Sequence, residues 1–364
     1  MVFSFLYLYV LQADLLRQLQ YTLSAGQTSY EPLVGALLIT LVLALPGIVL
    51  QRILPLPIRM KSVAWIPSGL LLMTLTFWHV GLDDEISLGR LLWLILPAAV
   101  FLVALFLGKS WPDAKSEQAP FVAFLSPNLL ILALLCIVVG WAGNTRTPFL
   151  YELKMARLLD EGRYEEALKV GERSLQTSRR LTSMRCYALS QTNQMGERLF
   201  HYRLCGGSQE MLPLLSDTMR FVNMPRRIYN YLKYKPAENS QTPVVRFLEM
   251  ASQRDTTDYH VLREYLLSAY LLDRRLDLFA ERLSEDSLSS SLPTHYRQAL
   301  VLLAAQDSTY HYPLNDSIPA AYESFLETMN DESDSLLPED RCLRDFADTY
   351  WYYYFFGEKL AAPN

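Results

Sequence analysis

The chain has 364 residues, 51% of them hydrophobic and 20% charged, with a formal net charge of −5. That length leaves room for two or three domains. The acidic balance argues against nucleic acid as a partner, because phosphate binding needs a concentrated basic surface.

The charge is unevenly spread. Residues 1–145 hold seven Lys or Arg and seven Asp or Glu, whereas the remainder holds 26 and 31. A transmembrane domain is expected over 1–145 and a helical soluble domain over 146–364. The chain opens on "MVFSFLYLYVLQADLLRQLQ". No basic segment precedes its apolar part, 1–13, and no small-residue cleavage site follows it, so a short or interfacial helix fits better than a signal peptide. Four runs without Asp, Glu, Lys or Arg come next, near 33–50, 63–80, 91–107 and 121–142. At about 1.5 Å rise per residue, each is long enough to cross a hydrocarbon core of roughly 30 Å. Trp65, Trp78, Trp93, Trp111 and Trp141 fall within or just beyond these runs, where an aromatic belt belongs. The lipid bilayer is thus the first expected partner.

Short-loop charges give an orientation. Arg52, Arg59 and Lys61 mark one loop and Lys109 and Lys115 another; Asp83, Asp84, Glu85 and a single Arg90 mark the loop between them. Basic loops face the cytoplasm, so parity places the C-terminal domain outside. The expected setting is a multi-pass protein of the bacterial inner membrane with a periplasmic C-terminal domain. Each span carries one proline, Pro46, Pro67, Pro97 and Pro127. A transporter is disfavoured all the same, because no ionisable residue accompanies them and ion or proton relays need one.

Asp83, Asp84 and Glu85 are the weak catalytic candidates. Clustered carboxylates at a membrane surface can hold a divalent cation and orient a phosphate-linked substrate. They support, as the alternative function, a lipid-linked glycosyl or phosphoryl transferase. The simpler reading is a solvated turn whose acids obey topology.

The second block begins with "YELKMARLLDEGRYEEALKVGERSL" (151–175). A helix runs to Asp160, Gly162 breaks it, and a second helix starts at Arg163 or Tyr164. This resembles a tetratricopeptide repeat, with Tyr151 and Leu158 at large positions, Gly162 and Tyr164 at the turn, and Ala167 and Ser174 at small ones. It departs from that pattern at Lys154 and at Arg179. Degenerate hairpins follow at 184–202, turning at Gly196, and at 263–283, turning at Arg274 and Arg275. One more amphipathic helix is expected over 292–306, starting at Pro293. The expected fold class is all-α: N-terminal transmembrane helices, then a repeat-like α-solenoid of helical hairpins.

Near the end stands "DTYWYYYFFGEKL" (348–360), with seven consecutive aromatic residues from Tyr350 to Phe356. Seven residues cover every face of a helix. Leu343, Phe346, Ala347, Tyr350 and Tyr354 make one stripe that should face the preceding hairpin. Trp351 and Phe355 project from another side. The simpler reading is a final helix packed internally on every side; the sharper one makes these two the interaction residues, resting on the membrane interface or a second protein.

Three segments, "SAGQTSYEPLVGALLITL", "LPTHYRQAL" and "DTYWYYYFF", resemble an uncharacterised family of bacterial multi-span membrane proteins with a repeat-like tail. That resemblance implies that Met1 begins inside a larger membrane domain, and it implies no reaction, cofactor or catalytic residue. The five His form no HExxH and the four Cys no CxxC; P-loop, GxSxG and GxGxxG motifs do not occur. One disulfide among Cys186, Cys205 and Cys342 stays open, and no cofactor is expected. The leading function is a membrane-anchored helical-repeat scaffold of the cell envelope that binds a protein or envelope component.

Overall fold

Proline in the first turn and polar or glycine turns outside it set most helix boundaries here. A computed structural model describes residues 1–24, 27–54, 56, 58–77, 99, 102, 106, 120–142, 147–214, 224–236, 242–253, 259–284, 292–307, 317–331 and 336–360. Among them the chain is all-α, with no strand. It divides into two compact units, Met1–Arg146 and Thr147–Asn364.

In the first unit, α1 (Val2–Leu6) runs into a π-helical turn over Tyr7–Leu11, and α2 (Ala13–Leu23) follows. Pro32 opens a long helix, α3 (Pro32–Ile53), since its missing N–H is unpaired in a first turn anyway. Among the described residues, α3 is the one helix long and apolar enough to cross a membrane, at mean hydropathy 2.7. Its inward stripe is Ala36, Thr40, Leu43 and Gly47. These fall at helical spacing, and three of the four are small. A Cβ on Gly47 would sit 2.4 Å from a Trp65 ring carbon, so glycine is what lets this ring lie against the helix.

The run expected as one span over 63–80 is not one helix. Ile58–Trp65 forms 3-10 turns, and α4 (Ile66–Phe77) has 12 residues, with Pro67 in its first turn. Pro67 has no N–H to donate and its ring crowds the carbonyl four residues earlier, which disfavours a regular helix running from the 3-10 segment into α4. The last element of the unit is α5 (Pro120–Ala142), 23 residues long; its part with described side chains, Pro127–Trp141, is shorter. Ser62 N–H donates to Asn128 Oδ1 at 2.9 Å, tying the 3-10 segment to α5. Most of the span expected over 91–107 lies outside the described residues.

The second unit opens with α6 (Thr147–Asp160) and α7 (Tyr164–Leu168). Gly162, at φ +73°, makes the turn between them, a conformation that costs glycine little. Ala167 and Leu168 are fully buried, while Lys154 is exposed. The second helix of this hairpin is shorter than expected. It stops after five residues, and Gly171 turns away at φ +60° with the Tyr151 ring against it.

Next come α8 (Arg179–Gln191) and α9 (Met195–Arg198). Ser178 caps α8, its Oγ accepting from Leu181 N–H and donating to the buried Glu152 carboxylate. The turn after α8 falls at Asn193, at φ 54°, and not at Gly196. Gly196 lies inside α9, pressed on Pro293 and Tyr296. A polar residue therefore makes the turn, and the glycine instead makes a close helix contact.

The unit continues through α10 (Met224–Tyr231), α11 (Val244–Ser252), α12 (Tyr259–Leu272) and α13 (Leu276–Ser284). Arg274, at φ 57°, sits in the turn between the last two. Then follow α14 (Thr294–Gln306), α15 (Ile318–Asn330), α16 (Pro338–Phe346) and α17 (Tyr350–Leu360). Successive helices α11 to α17 pack on one another, and α14 also meets α9 and α17. That central place buries α14 on nearly all sides, from His295 through Leu303, so it is not the amphipathic helix its ends suggest. All four cysteines are free thiols.

Candidate functional site

A dense constellation of polar and aromatic groups gathers where α17 meets α14. Seven aromatic residues in a row have no polar face to turn to water, so neighbours must take up every side. Phe346 ends α16 and Tyr350 begins α17, which breaks the stripe expected over 343–354 into two helices. Tyr350, Trp351, Tyr352 and Phe356 are buried, Tyr353 and Tyr354 half-buried.

Every polar tip but one finds a partner, the exception being the buried Tyr352 hydroxyl. Tyr350 O–H donates to Leu271 O at 3.1 Å and Tyr353 O–H to Leu272 O at 2.9 Å, using carbonyls of the last turn of α12, of which Leu271 O also accepts from Arg274 N–H at 3.1 Å. Arg274 lies over the Tyr353 and Tyr354 rings, 5.8 and 5.9 Å from their centroids. Trp351 Nε1–H donates to Gln298 O at 2.9 Å, and Tyr350 N–H to Gln298 Oε1 at the same distance. Gln298 thereby satisfies both a side-chain and a backbone donor of α17.

Trp351 is only 1% exposed, which corrects its expected place on an outer side. Helix α15 covers that side, with Tyr322 and Phe325 rings 5.1 and 6.0 Å from Trp351. A hairpin-by-hairpin reading left α15 out and so left that face open. Phe355 is 39% exposed, its inner edge on Phe325. Asp83, Asp84 and Glu85 lie outside the described residues.

His295 stands at the start of α14, fully buried, between the rings of Phe200 and His201. Its Nε2 is 3.1 Å from Asp348 O. A carbonyl only accepts, so Nε2 carries the proton and Nδ1 is a bare lone pair, buried with no partner. Burial above all, then the charge His201 would carry, pushes the imidazole down to about 3, so it is neutral at pH 7.

Beside this junction lies a cleft of about 610 Å³. Its walls are the turn Glu172–Leu175, the turn Phe200–Leu204, the end of α16 with Ala347 and Asp348, and Tyr352 and Tyr353 of α17. Arg173, Arg203 and Arg344 line it, with Glu172 and Asp348 as the acids. Glu172 is paired with Arg198 at 3.1 Å.

Arg185 lies behind the wall. It is 1% exposed in the middle of α8, and its guanidinium donates to Arg203 O, Gly171 O and Thr177 Oγ1 at 3.1, 3.1 and 3.3 Å. It stacks on Tyr202, 5.0 Å from the ring centroid. Among the described residues no carboxylate pairs with it, and burial pulls its pKa down to about 10. Sequence reasoning missed Arg185 and His295. The signal for Arg185 was a lone charge amid the small and apolar residues of "LTSMRCYALS"; for His295 nothing local distinguishes it from a surface histidine.

The class defined by this architecture is an all-α protein whose second unit is closed by an aromatic helix locked onto a buried one. Residues 250–357, which hold the whole lock except its contacts to α9 and to the turn after it, match a family of unknown function, DUF6057. No curated protein matches the chain. No solved structure matches it either.

Proposed function

We propose that the protein is a membrane-anchored helical-repeat scaffold of the bacterial cell envelope. The first unit sits in the bilayer as a multi-pass domain, and the second, a solenoid of stacked hairpins, lies on the periplasmic side and binds a protein or envelope component. The outer face of α3 carries this reading. Ten large apolar side chains project from it, among them Leu37, Leu38, Leu41, Val42, Leu45 and Val49, each 42–69% exposed. A fully buried side chain of this kind is worth about 1.5–3 kcal/mol. Ten half-exposed ones forfeit roughly the whole stability of a domain, about 5–15 kcal/mol, if they face water. Hydrocarbon removes that cost. Exposed Leu129, Leu130, Leu134 and Ile137 on α5 repeat the pattern.

The test is fractionation with alkaline carbonate, followed by labelling of spheroplasts with a membrane-impermeant maleimide. Ser324 is exposed on α15, so Ser324→Cys reports on the second unit. Retention in the membrane pellet with labelling of intact spheroplasts supports the proposal. Release by carbonate sinks the membrane anchor, and labelling only after lysis sinks the periplasmic side.

A further inference from the structure

We propose that the cleft between the Glu172–Leu175 turn, the Phe200–Leu204 turn and α16–α17 binds a phosphate group. Three arginines, Arg173, Arg203 and Arg344, line one cavity from three separate chain segments. The fourth, Arg185, lies directly behind, its guanidinium on the carbonyl of Arg203 and the ring of Tyr202, both parts of the wall. A buried cation without a carboxylate is costly, and a low-dielectric wall passes its field into the cleft with little screening. On the acidic side, Glu172 is already held by Arg198, and Arg344 shares Asp345 at 3.0 Å. Among the described residues, Asp348 is then the one cleft acid set against Arg173, Arg203 and the field of Arg185. The balance is cationic within a chain whose net charge is −5.

Guanidinium forks from several directions suit a tetrahedral dianion, which offers acceptor oxygens on every side, better than a planar carboxylate. At about 610 Å³ the cavity also exceeds what a bare phosphate needs, and falls within the range of small-molecule sites. The rest of the ligand would lie along Tyr353. The phosphate belongs either to a free solute or to a lipid headgroup, and the two sources are separable.

Full-length protein in a non-ionic detergent is titrated calorimetrically with pyrophosphate, with dihexanoylphosphatidic acid and with dihexanoylphosphatidylcholine. The comparison is Arg173→Gln with Arg203→Gln, at an exposed and a half-buried position. Each lost charged hydrogen bond is expected to weaken binding about tenfold or more. Pyrophosphate binding that the double variant loses assigns a free solute. Binding of phosphatidic acid alone, again lost in the variant, assigns a headgroup. Binding of none of the three, or binding that the variant leaves unchanged, overturns the proposal. Arg203→Lys serves if the double variant melts early: it keeps the charge but not the fork, and unaltered affinity for the probe that binds would equally overturn it.

Discussion

Two neighbouring aromatic residues, Trp351 and Phe355, show how little a helical wheel says about burial once a third helix arrives. Trp351→Ala removes a fully buried indole and the side-chain hydrogen bond it gives to Gln298 O. Large-to-small changes of this kind cost about 3–5 kcal/mol. Phe355→Ala removes a ring that is partly in water, and should cost about 1–2 kcal/mol on area grounds. Thermal denaturation of the full-length variants in detergent, followed by circular dichroism, should rank them in that order. Equal losses would mean that Phe355 is covered as deeply as Trp351. His295 adds a pH signature. Its folded pKa, about 3, lies below the ordinary 6.5. The unfolded chain therefore takes up a proton as pH falls through 6.5, while the folded one does not until near 3. The stabilisation is full above pH 6.5 and is lost on acidification, by about 1.4 kcal/mol per pH unit between those limits. His295→Gln keeps a donor for Asp348 O and cannot titrate. Its melting temperature should fall less than the parent's between pH 7 and pH 5; parallel falls would remove His295 as the cause.

At the scale of elements, contacts between helices decide what the turn residues do. Gly196 looks like a hairpin turn in sequence, yet it is the point where α9 touches α14. A Cβ there would lie 2.7 and 2.9 Å from two atoms of the Pro293 ring, which cannot swing away. Gly196→Ala gains about 1 kcal/mol of helix propensity, but overpacking against a rigid ring costs about 1–3 kcal/mol. The expected net effect is destabilisation, read as a lower midpoint on heating. Gly162 is the opposite case, with open space around its Cβ position and a left-handed backbone. Gly162→Asn should be nearly neutral, because Asn tolerates that conformation. If Gly196→Ala proves the milder change, the α9–α14 contact is looser than the structure places it.

For the whole molecule, the outward leucines of α3 separate a bilayer from water. Leu41 and Leu45 are each 58% exposed. In water, Leu41→Lys with Leu45→Lys would be close to neutral and would raise solubility. Near the centre of a membrane helix each lysine costs about 2.5–3.5 kcal/mol for insertion. The double variant should therefore shift from the membrane pellet to degraded or aggregated material. Normal yield in a carbonate-soluble fraction would place α3 in water.

Some of this was open to reading from residues alone, and the dividing line is physical. Composition and period act locally, so the all-α class, the apolar helix expected near 33–50, the turn at Gly162 and the turn at Arg274 were legible. Each depends on a residue's own backbone preference or on neighbours within one helical turn. The early end of α7 at Leu168 and the left-handed Gly171 beyond it, packed against the Tyr151 ring of another helix, were not legible. The break in the 63–80 run was half-legible, since Pro67 marked it but its 3-10 lead-in did not. Burial of Trp351 was not legible, because it is set by α15, more than twenty residues earlier and outside any hairpin with α17. The arginine-lined cleft was not legible either. Its walls come from three segments far apart in the chain, and only packing of α8, α16 and α17 brings their charges to one place. Local preference determines which helices form; the need of apolar faces and polar tips for partners, met across long sequence separations, determines what those helices enclose.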